Sequence, residues 1–175
     1  LVSVQESLKS PHANFRINLE ATHYLACAAS TVGTPRFVMA SSAAVYGNTE
    51  RLPIAEEQET APISPYGAAK LASEDLLLAY SKSYGLGTIC YRYFNVYGPR
   101  QDPSSPYSGV ISIFQDRLSH GKPITIFGDG NQTRDFVSVY DVARANANAA
   151  VSSTNESGRY NICTGKGTSL LDLAA

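Results

Sequence analysis

Strand-like and helix-like segments alternate along the chain with short connections, and this order constrains the fold more than any other feature of the sequence. The apolar run at 37–40 and the β-branched and aromatic run at 88–94 are typical of strands buried on both faces of a sheet. Helical patterns separate the strands, which predicts a parallel α/β sheet with right-handed crossovers. In chain order the predicted elements are helix 18–29, strand 37–40, helix 64–84, strand 88–94, helix 109–120, strands 124–127 and 135–137, helix 141–151 and strand 159–163.

Both ends of the chain fall inside predicted elements. A cap followed by helical residues at 168–173 leaves only one turn before Ala175, and one helical turn is not stable by itself. Residues 1–4 form an apolar beginning with nothing before it to pair with. We therefore expect the chain to be a fragment of a longer protein.

The composition excludes several classes of partner. The formal net charge is -1 and no basic stripe is present, so nucleic acid is not an expected partner. No apolar run approaches the length of about 20 residues that a membrane span needs, and the first residues do not resemble a signal peptide. The three cysteines (Cys27, Cys90 and Cys163) are far apart and form no metal-binding pattern. We expect a soluble cytoplasmic protein with reduced thiols and no metal.

The predicted helix at 64–84 carries the strongest chemical signal. Ser64 is a typical N-cap, and Gly85 follows the last helical residue. Tyr66 and Lys70 are four residues apart and therefore share one helical face. A free tyrosine has a pKa of about 10, and a lysine charge one turn away favours the phenolate. The pair predicts an acid/base tyrosine, although a surface tyrosine beside a solvated lysine has the same spacing.

Three further segments place polar side chains where strands end. The segment S-S-A-A-V-Y-G at 41–47 follows the first strand, and R-Y-F-N-V-Y-G-P-R at 92–100 ends the second. Ligand groups in open parallel sheets lie at the carboxyl ends of strands. The segment I-F-G-D-G-N-Q-T-R-D-F at 126–136 places an arginine, suited to phosphate, after a glycine turn. The alternatives are a serine-rich turn, an Asx turn and a surface Arg134–Asp135 pair.

These segments occur in an order that resembles a known family. With S-P-Y-G-A-A-K at 64–70, they resemble UDP-glucose 4-epimerases and their relatives, including UDP-N-acetylglucosamine 4-epimerases. These enzymes belong to the extended short-chain dehydrogenases/reductases, in the NAD-dependent epimerase/dehydratase family. The resemblance covers the whole chain and implies a Rossmann-like doubly wound sheet with NAD as the cofactor.

The resemblance implies a catalytic set and a cofactor site. Tyr66 would be the acid/base in contact with the sugar, and Lys70 would bind the nicotinamide ribose and lower the pKa of Tyr66. Ser42 would hydrogen-bond the sugar hydroxyl that is oxidised. Ala40 and Phe94 would lie beside the cofactor.

The resemblance also implies a site for a UDP-sugar. Asn95 and Arg134 would hold the diphosphate of the substrate, and Val110 would contact the substrate as well. Thr125 and Phe127 would offer backbone groups to the uracil. UDP-glucose and UDP-galactose, or their N-acetyl forms, are the expected substrates.

The residues after the serine pair discriminate within the family. The 4,6-dehydratases resemble S-T-D-E-V-Y-G at this point, whereas this chain has Ala43 and Ala44. Removing water needs a positioned acid and base, and alanine supplies neither. The sequence therefore favours epimerisation. A different nucleotide-sugar epimerase, a reductase of the same family and a non-catalytic nucleotide-binding relative remain as alternatives.

The sequence departs from the family at its beginning. No G-x-x-G-x-x-G loop is present, since the glycines at 165 and 167 come too late. We expect an incomplete sheet without its N-terminal half, and little activity from the fragment alone. Residues 1–100 would form the catalytic half of the NAD-binding domain. Residues 101–175 would form part of the nucleotide-sugar-binding region with a returning strand. The resemblance also implies a homodimer through the helices at 18–29 and 66–84.

Overall fold

The first sheet contains a pair of long parallel strands. The computed structural model describes residues 1–105, 109–154 and 156–175. Strands β1 (Arg36–Ser42) and β2 (Gly87–Tyr93) pair in parallel along their whole lengths. With β5 (Gly158–Ile162) they form a three-stranded sheet in the order β1-β2-β5. The predicted Rossmann-like α/β architecture is confirmed.

The chain divides into two compact units. The first unit contains residues 1–93 and 145–161, and the second contains residues 94–144 and 162–175. The helical elements of the first unit are α1 (Val4–Lys9), α2 (Pro11–Phe15), a π-helical turn (Arg16–Glu20), α3 (Ala21–Thr31), a 3-10 turn (Ala43–Tyr46) and α4 (Pro65–Tyr84).

The boundaries of α4 follow from the predicted caps. The Ser64 side chain accepts a hydrogen bond from Gly67 N at 3.1 Å, which satisfies a free amide of the first turn. Gly85 ends the helix with φ +73°, a left-handed conformation that glycine adopts without strain. The helix predicted at 18–29 begins earlier than expected, because Pro11 starts the helical path and a π-helical turn continues it into α3.

The core of the first unit packs helices against the sheet. Ala26 of α3 and Leu77 of α4 are fully buried against Met39 of β1 and Cys90 of β2. Burying a side chain such as Leu77 stabilises the fold by about 1.5–3 kcal/mol. The prediction that the 37–40 strand is buried on both faces is wrong, since Ala40 is exposed. The physical reason is that β1 is an edge strand among the described residues.

The second unit contains a smaller mixed sheet. Strand β4 lies between a parallel neighbour, β3, and an antiparallel neighbour, β6. Helix α6 begins in this unit and continues into the first. The elements are β3 (Asn95–Tyr97), α5 (Val110–Ser119), β4 (Thr133–Ser138), α6 (Val139–Val151), β6 (Gly167–Ser169) and α7 (Leu170–Ala174).

One prediction about a short segment is wrong. Residues 124–127 form no strand, because no described strand pairs with them, and Phe127 is 82% exposed. The apolar beginning at 1–4 leads into a helix, because Ser3 caps α1 by accepting from Glu6 N at 3.1 Å. In the described parts of the chain, no helix is long and apolar enough to cross a membrane.

Candidate active site

The end of β1 and the beginning of α4 bring Ser42 and Tyr66 together. The Ser42 hydroxyl acts on Tyr66 as a hydrogen-bonding group that lowers the pKa of the phenol. Ser42 Oγ also accepts from Ala44 N at 3.2 Å. The approach depends on Gly67, where an added Cβ would lie 2.6 Å from the Ala44 carbonyl oxygen. Any larger residue at position 67 would push α4 away from the turn and separate the two hydroxyls.

Lys70 lies one helical turn beyond Tyr66 and is fixed by the backbone of β1. Its Nζ donates to the Ala40 carbonyl oxygen at 2.9 Å and lies 5.7 Å from the centroid of the Tyr66 ring. No carboxylate in the described parts of the chain lies within 4.0 Å of this ammonium. Two of its three N–H donors are therefore available to a ligand at the carboxyl end of β1.

Burial shifts the pKa values of both Tyr66 and Lys70. Burial raises the pKa of Tyr66 above its ordinary value, and the hydrogen bond from Ser42 opposes this rise only partly. Burial also lowers the pKa of Lys70, because charge is costly to desolvate. The prediction that Lys70 lowers the pKa of Tyr66 stays a prediction, because the Lys70 ammonium donates to the Ala40 carbonyl oxygen in this structure and burial is the largest cause of the Tyr66 shift. Ser42 is the group that favours the phenolate.

The beginning of α4 is held by polar groups that the sequence did not identify. Ser7 Oγ accepts from Tyr66 N at 3.2 Å, and Asn14 Nδ2 donates to the Pro65 carbonyl at 2.8 Å. Ser7 and Asn14 are both buried. They fix the backbone on which Tyr66 is carried. The only signal for them in the sequence is weak, namely a polar residue at a helical position that faces the core.

A buried ionic cluster lies directly behind the serine pair. Glu74 of α4 is completely buried and accepts from Ser41 Oγ at 2.5 Å. Arg92 of β2 donates to the same carboxylate through Nε at 3.0 Å and Nη2 at 2.7 Å, and Arg159 Nε lies 3.0 Å from it. Arg92 Nη1 also donates to the Tyr46 hydroxyl at 2.8 Å. The sequence pattern does not reveal this cluster, because charged residues are usually exposed.

The predicted diphosphate residues lie in the second unit. Asn95 is the first residue of β3, and its Nδ2 donates to the Asp135 carbonyl oxygen at 3.1 Å, so it forms part of a sheet rather than an Asx turn. Arg134 is exposed on β4 and forms no ion pair with any described residue. The Asp135 carboxylate instead accepts from Thr164 N at 2.9 Å and Gly165 N at 2.7 Å. The guanidinium of Arg134 is therefore available to an anion.

The other predicted site residues also lie in the second unit. Phe94 is half-buried and its N donates to the Ile162 carbonyl at 3.2 Å, while Val110 begins α5. Thr125 and Phe127 are exposed in the irregular segment before the glycine turn. A cavity of about 630 Å³ beside α5 contains none of the predicted site residues. Ala40, Ser42, Tyr66 and Lys70 are thus the residues that the structure brings together.

A hydroxyl pair and a lysine at the carboxyl end of a parallel strand define a Ser–Tyr–Lys site on a Rossmann-like sheet. The model of the family described as "NAD dependent epimerase/dehydratase family" matches residues 1–163. The chain belongs to the NAD-dependent epimerase/dehydratase family.

Relatives and solved structures agree with this membership. The chain is 42% identical over 173 residues to a putative UDP-glucose 4-epimerase of Methanocaldococcus jannaschii, covering 98% of this chain and 55% of the relative. A UDP-N-acetylglucosamine 4-epimerase of Methanobrevibacter ruminantium, solved with UDP-N-acetylmuramic acid, superposes with a TM-score of 0.95 at 37% identity, covering 99% of this chain and 56% of that one. A UDP-glucose 4-epimerase of Thermotoga maritima, solved with UDP-glucose, gives 0.91 at 39% identity, with coverages of 98% and 55%. The chain therefore spans little more than half the length of these relatives.

Proposed function

We propose that the protein carrying this chain is an NAD-dependent nucleotide-sugar 4-epimerase that acts on UDP-sugars through a 4-keto intermediate. The observation that carries the proposal is the placement of Ser42 beside Tyr66, with Lys70 one helical turn away and its Nζ 5.7 Å from the centroid of the Tyr66 ring. The family membership supports it, as do relatives named UDP-glucose 4-epimerase.

The residues present fit a nicotinamide cofactor. Lys70 has free donors for ribose hydroxyls, and its bond to Ala40 O fixes the ammonium at the carboxyl end of β1. A solved epimerase of Thermus thermophilus, 39% identical to this chain, is described as a complex with NAD. Bound NAD would take the hydrogen from the sugar C4 as hydride and return it. Tyr66, Lys70 and Ala40 would hold the cofactor, and Phe94 is the further cofactor-binding residue that the family resemblance implies.

The chain's own residues would move the proton. Tyr66, as the phenolate, would take the proton from the sugar O4 and return it after the keto sugar has turned. Ser42 would donate its one O–H to the sugar O4, which stabilises the charge that develops on this oxygen as the proton leaves. Ala43 and Ala44 have no proton to give or take, so no water is eliminated. Because the keto sugar turns before it is reduced again, the product differs from the substrate only in its configuration at C4, and the net reaction is epimerisation.

We assign nucleotide binding to the second unit. Arg134 would take the diphosphate, because its guanidinium has no ion-pair partner among the described residues and suits bidentate contacts. Asn95 would assist it, and Thr125 and Phe127 would offer backbone groups to the uracil. Val110 would contact the substrate from the beginning of α5. In this proposal, residues 1–100 supply the catalysis and residues 101–175 contribute to nucleotide-sugar binding.

We also propose a cytoplasmic homodimer formed through α3 and α4. Large apolar side chains are exposed on these helices: Tyr24 at 63% and Leu25 at 61% on α3, and Tyr84 at 68% on α4. A partner's helices would bury them. The unpaired thiols of Cys27 and Cys90 suit the reducing conditions of the cytoplasm. Light scattering on the complete gene product at micromolar concentration tests the dimer, and a monomer would refute it.

Product analysis tests the proposed reaction. The complete gene product is incubated with UDP-glucose and, separately, with UDP-N-acetylglucosamine in the presence of NAD. Proton NMR should show the galacto epimer accumulating to an equilibrium mixture without net NADH. Stoichiometric NADH would instead indicate a net oxidoreductase, and an unchanged substrate pool would indicate a non-catalytic nucleotide-binding protein.

A further inference from the structure

Glu74 continues the face of α4 that carries the proposed catalytic residues. Tyr66, Lys70 and Glu74 are spaced four apart, so their side chains follow one another along the helix. Lys70 donates to the backbone carbonyl of Ala40, and Glu74 accepts from the hydroxyl of Ser41. Successive turns of α4 therefore hold successive residues of β1, immediately before the catalytic serine.

Arg92 extends this contact to the segment on the other side of Ser42. Arg92 is the cross-strand partner of Ser41 in the parallel β1–β2 pair, and it binds Glu74 through two nitrogens. Its guanidinium also lies 4.8 Å from the centroid of the Tyr46 ring and donates to the Tyr46 hydroxyl. Tyr46 ends the 3-10 turn that Ser42 caps. Ser42 thus lies between two residues that this buried ion pair holds.

We propose that Glu74 is a positioning residue: through Ser41 and Arg92 it fixes the end of β1 so that Ser42 meets Tyr66. The inference rests on the proposed function and names a residue on which that function depends. Adjacent side chains of a strand point to opposite faces, so the Ser41–Glu74 bond sets the face to which Ser42 points. A hydroxyl misplaced by about 1 Å can cost a large factor in turnover.

Stability alone is a poor explanation of the cluster. Buried ion pairs are weak contributors to folding, and packed apolar residues of similar volume replace them at little cost. An apolar cluster would have no acceptor for the Ser41 hydroxyl, which is itself buried. A purely structural cluster would affect unfolding and leave turnover unchanged. A positioning cluster would affect turnover at unchanged substrate binding.

Ser41→Ala is the variant that separates these roles, because it removes the link and leaves the Glu74–Arg92 pair intact. Ser41→Thr restores the hydroxyl in a residue suited to a strand. Thr88→Val is the matched control: Thr88 is a buried hydroxyl residue of β2 whose Oγ1 has no partner among the described residues. All variants are made in the complete gene product. If Ser41→Ala does not fold, Ser41→Cys keeps the volume and takes its place.

Two readouts are measured. The first is kcat and KM for UDP-glucose, and the second is the ring ¹³Cζ resonance of Tyr66 at pH 7, assigned with Tyr66→Phe. For Ser41→Ala we expect kcat to fall about tenfold or more with KM within about twofold. The Tyr66 resonance should move in the same direction as it does in Ser42→Ala. Ser41→Thr should restore both readouts, and Thr88→Val should change neither.

The outcomes keep the two proposals apart. If the unchanged protein does not convert the sugar, the proposed function fails, and the Tyr66 resonance still decides whether Ser41 positions Ser42. If the unchanged protein is active and Ser41→Ala matches Thr88→Val in kcat and in the resonance, the positioning role is overturned. A fall in kcat without a move of the Tyr66 resonance also overturns it, because the effect would then bypass the Ser42–Tyr66 bond.

Discussion

Replacing Glu74 by alanine should destabilise the protein more than any surface substitution. Glu74 is completely buried, and its loss leaves the guanidinium of Arg92, which is 1% exposed, without its counter-ion. Only neutral acceptors remain for that cation, the Tyr46 hydroxyl and the Glu56 carbonyl. Removing one partner of a buried ion pair costs about 3–5 kcal/mol, because the other charge stays buried. We expect the free energy of unfolding to fall by that amount.

Urea denaturation followed by circular dichroism measures this free energy. The paired replacement of Glu74 and Arg92 by methionine is the control. It removes both charges, so the double variant should lose less free energy of unfolding than the two single methionine variants together, even though the Ser41 hydroxyl then lacks its acceptor. The cycle of Glu74→Met, Arg92→Met and the double variant should therefore show a coupling energy of at least about 2 kcal/mol. If Glu74→Ala lowers the free energy of unfolding by less than about 1 kcal/mol, or if the effects in the cycle are additive, the claim that Glu74 and Arg92 form a buried ion pair is refuted.

Three further predictions concern single side chains. Arg134→Ala should raise KM for the nucleotide sugar more than it lowers kcat, since a diphosphate contact holds the ground and transition states alike; unchanged UDP affinity by calorimetry would count against it. Ser42→Ala should raise the pKa of Tyr66 further, because the lost hydrogen bond favoured the phenolate. The ¹³Cζ titration of Tyr66 should then move to higher pH, and an unmoved midpoint would exclude the bond. Burial raises the pKa of Cys90 to about 12, so iodoacetamide at pH 8 should modify Cys90 only after unfolding, as mass spectrometry can check.

Local signals in the sequence were sufficient for α4 and for the strands of the first sheet. Ser64 and Gly85 act on the backbone next to them, so their effect is visible without the fold. The same holds for the spacing of Tyr66 and Lys70, which a helix turns into a shared face. The strand prediction for residues 124–127 was wrong for the opposite reason. Its apolar alternation resembles a strand, but a strand needs a neighbour, and none of the described strands pairs with it.

The part of the site that the sequence did not reveal depends on contacts distant along the chain. Glu74 and Arg92 are 18 residues apart, and each alone is typical of a solvated surface. Glu74 and Arg92 become buried only when α4 packs against β1 and β2. Each buried charge then needs the other as its ion-pair partner. Burial of Tyr66 was hidden for a related reason. Proximity to Lys70 was visible in the sequence, whereas burial was not, and burial is the largest cause of the Tyr66 pKa shift.

Turnover of Tyr66→Phe tests the central claim most directly, because phenylalanine keeps the ring and removes only the hydroxyl that transfers the proton. The assay follows the conversion of UDP-glucose to UDP-galactose by the complete gene product, with UDP affinity measured by calorimetry on the same samples. The account predicts that kcat falls by at least about 100-fold while UDP affinity stays within about twofold. Near-normal turnover in Tyr66→Phe would contradict the assignment of Tyr66 as the acid/base.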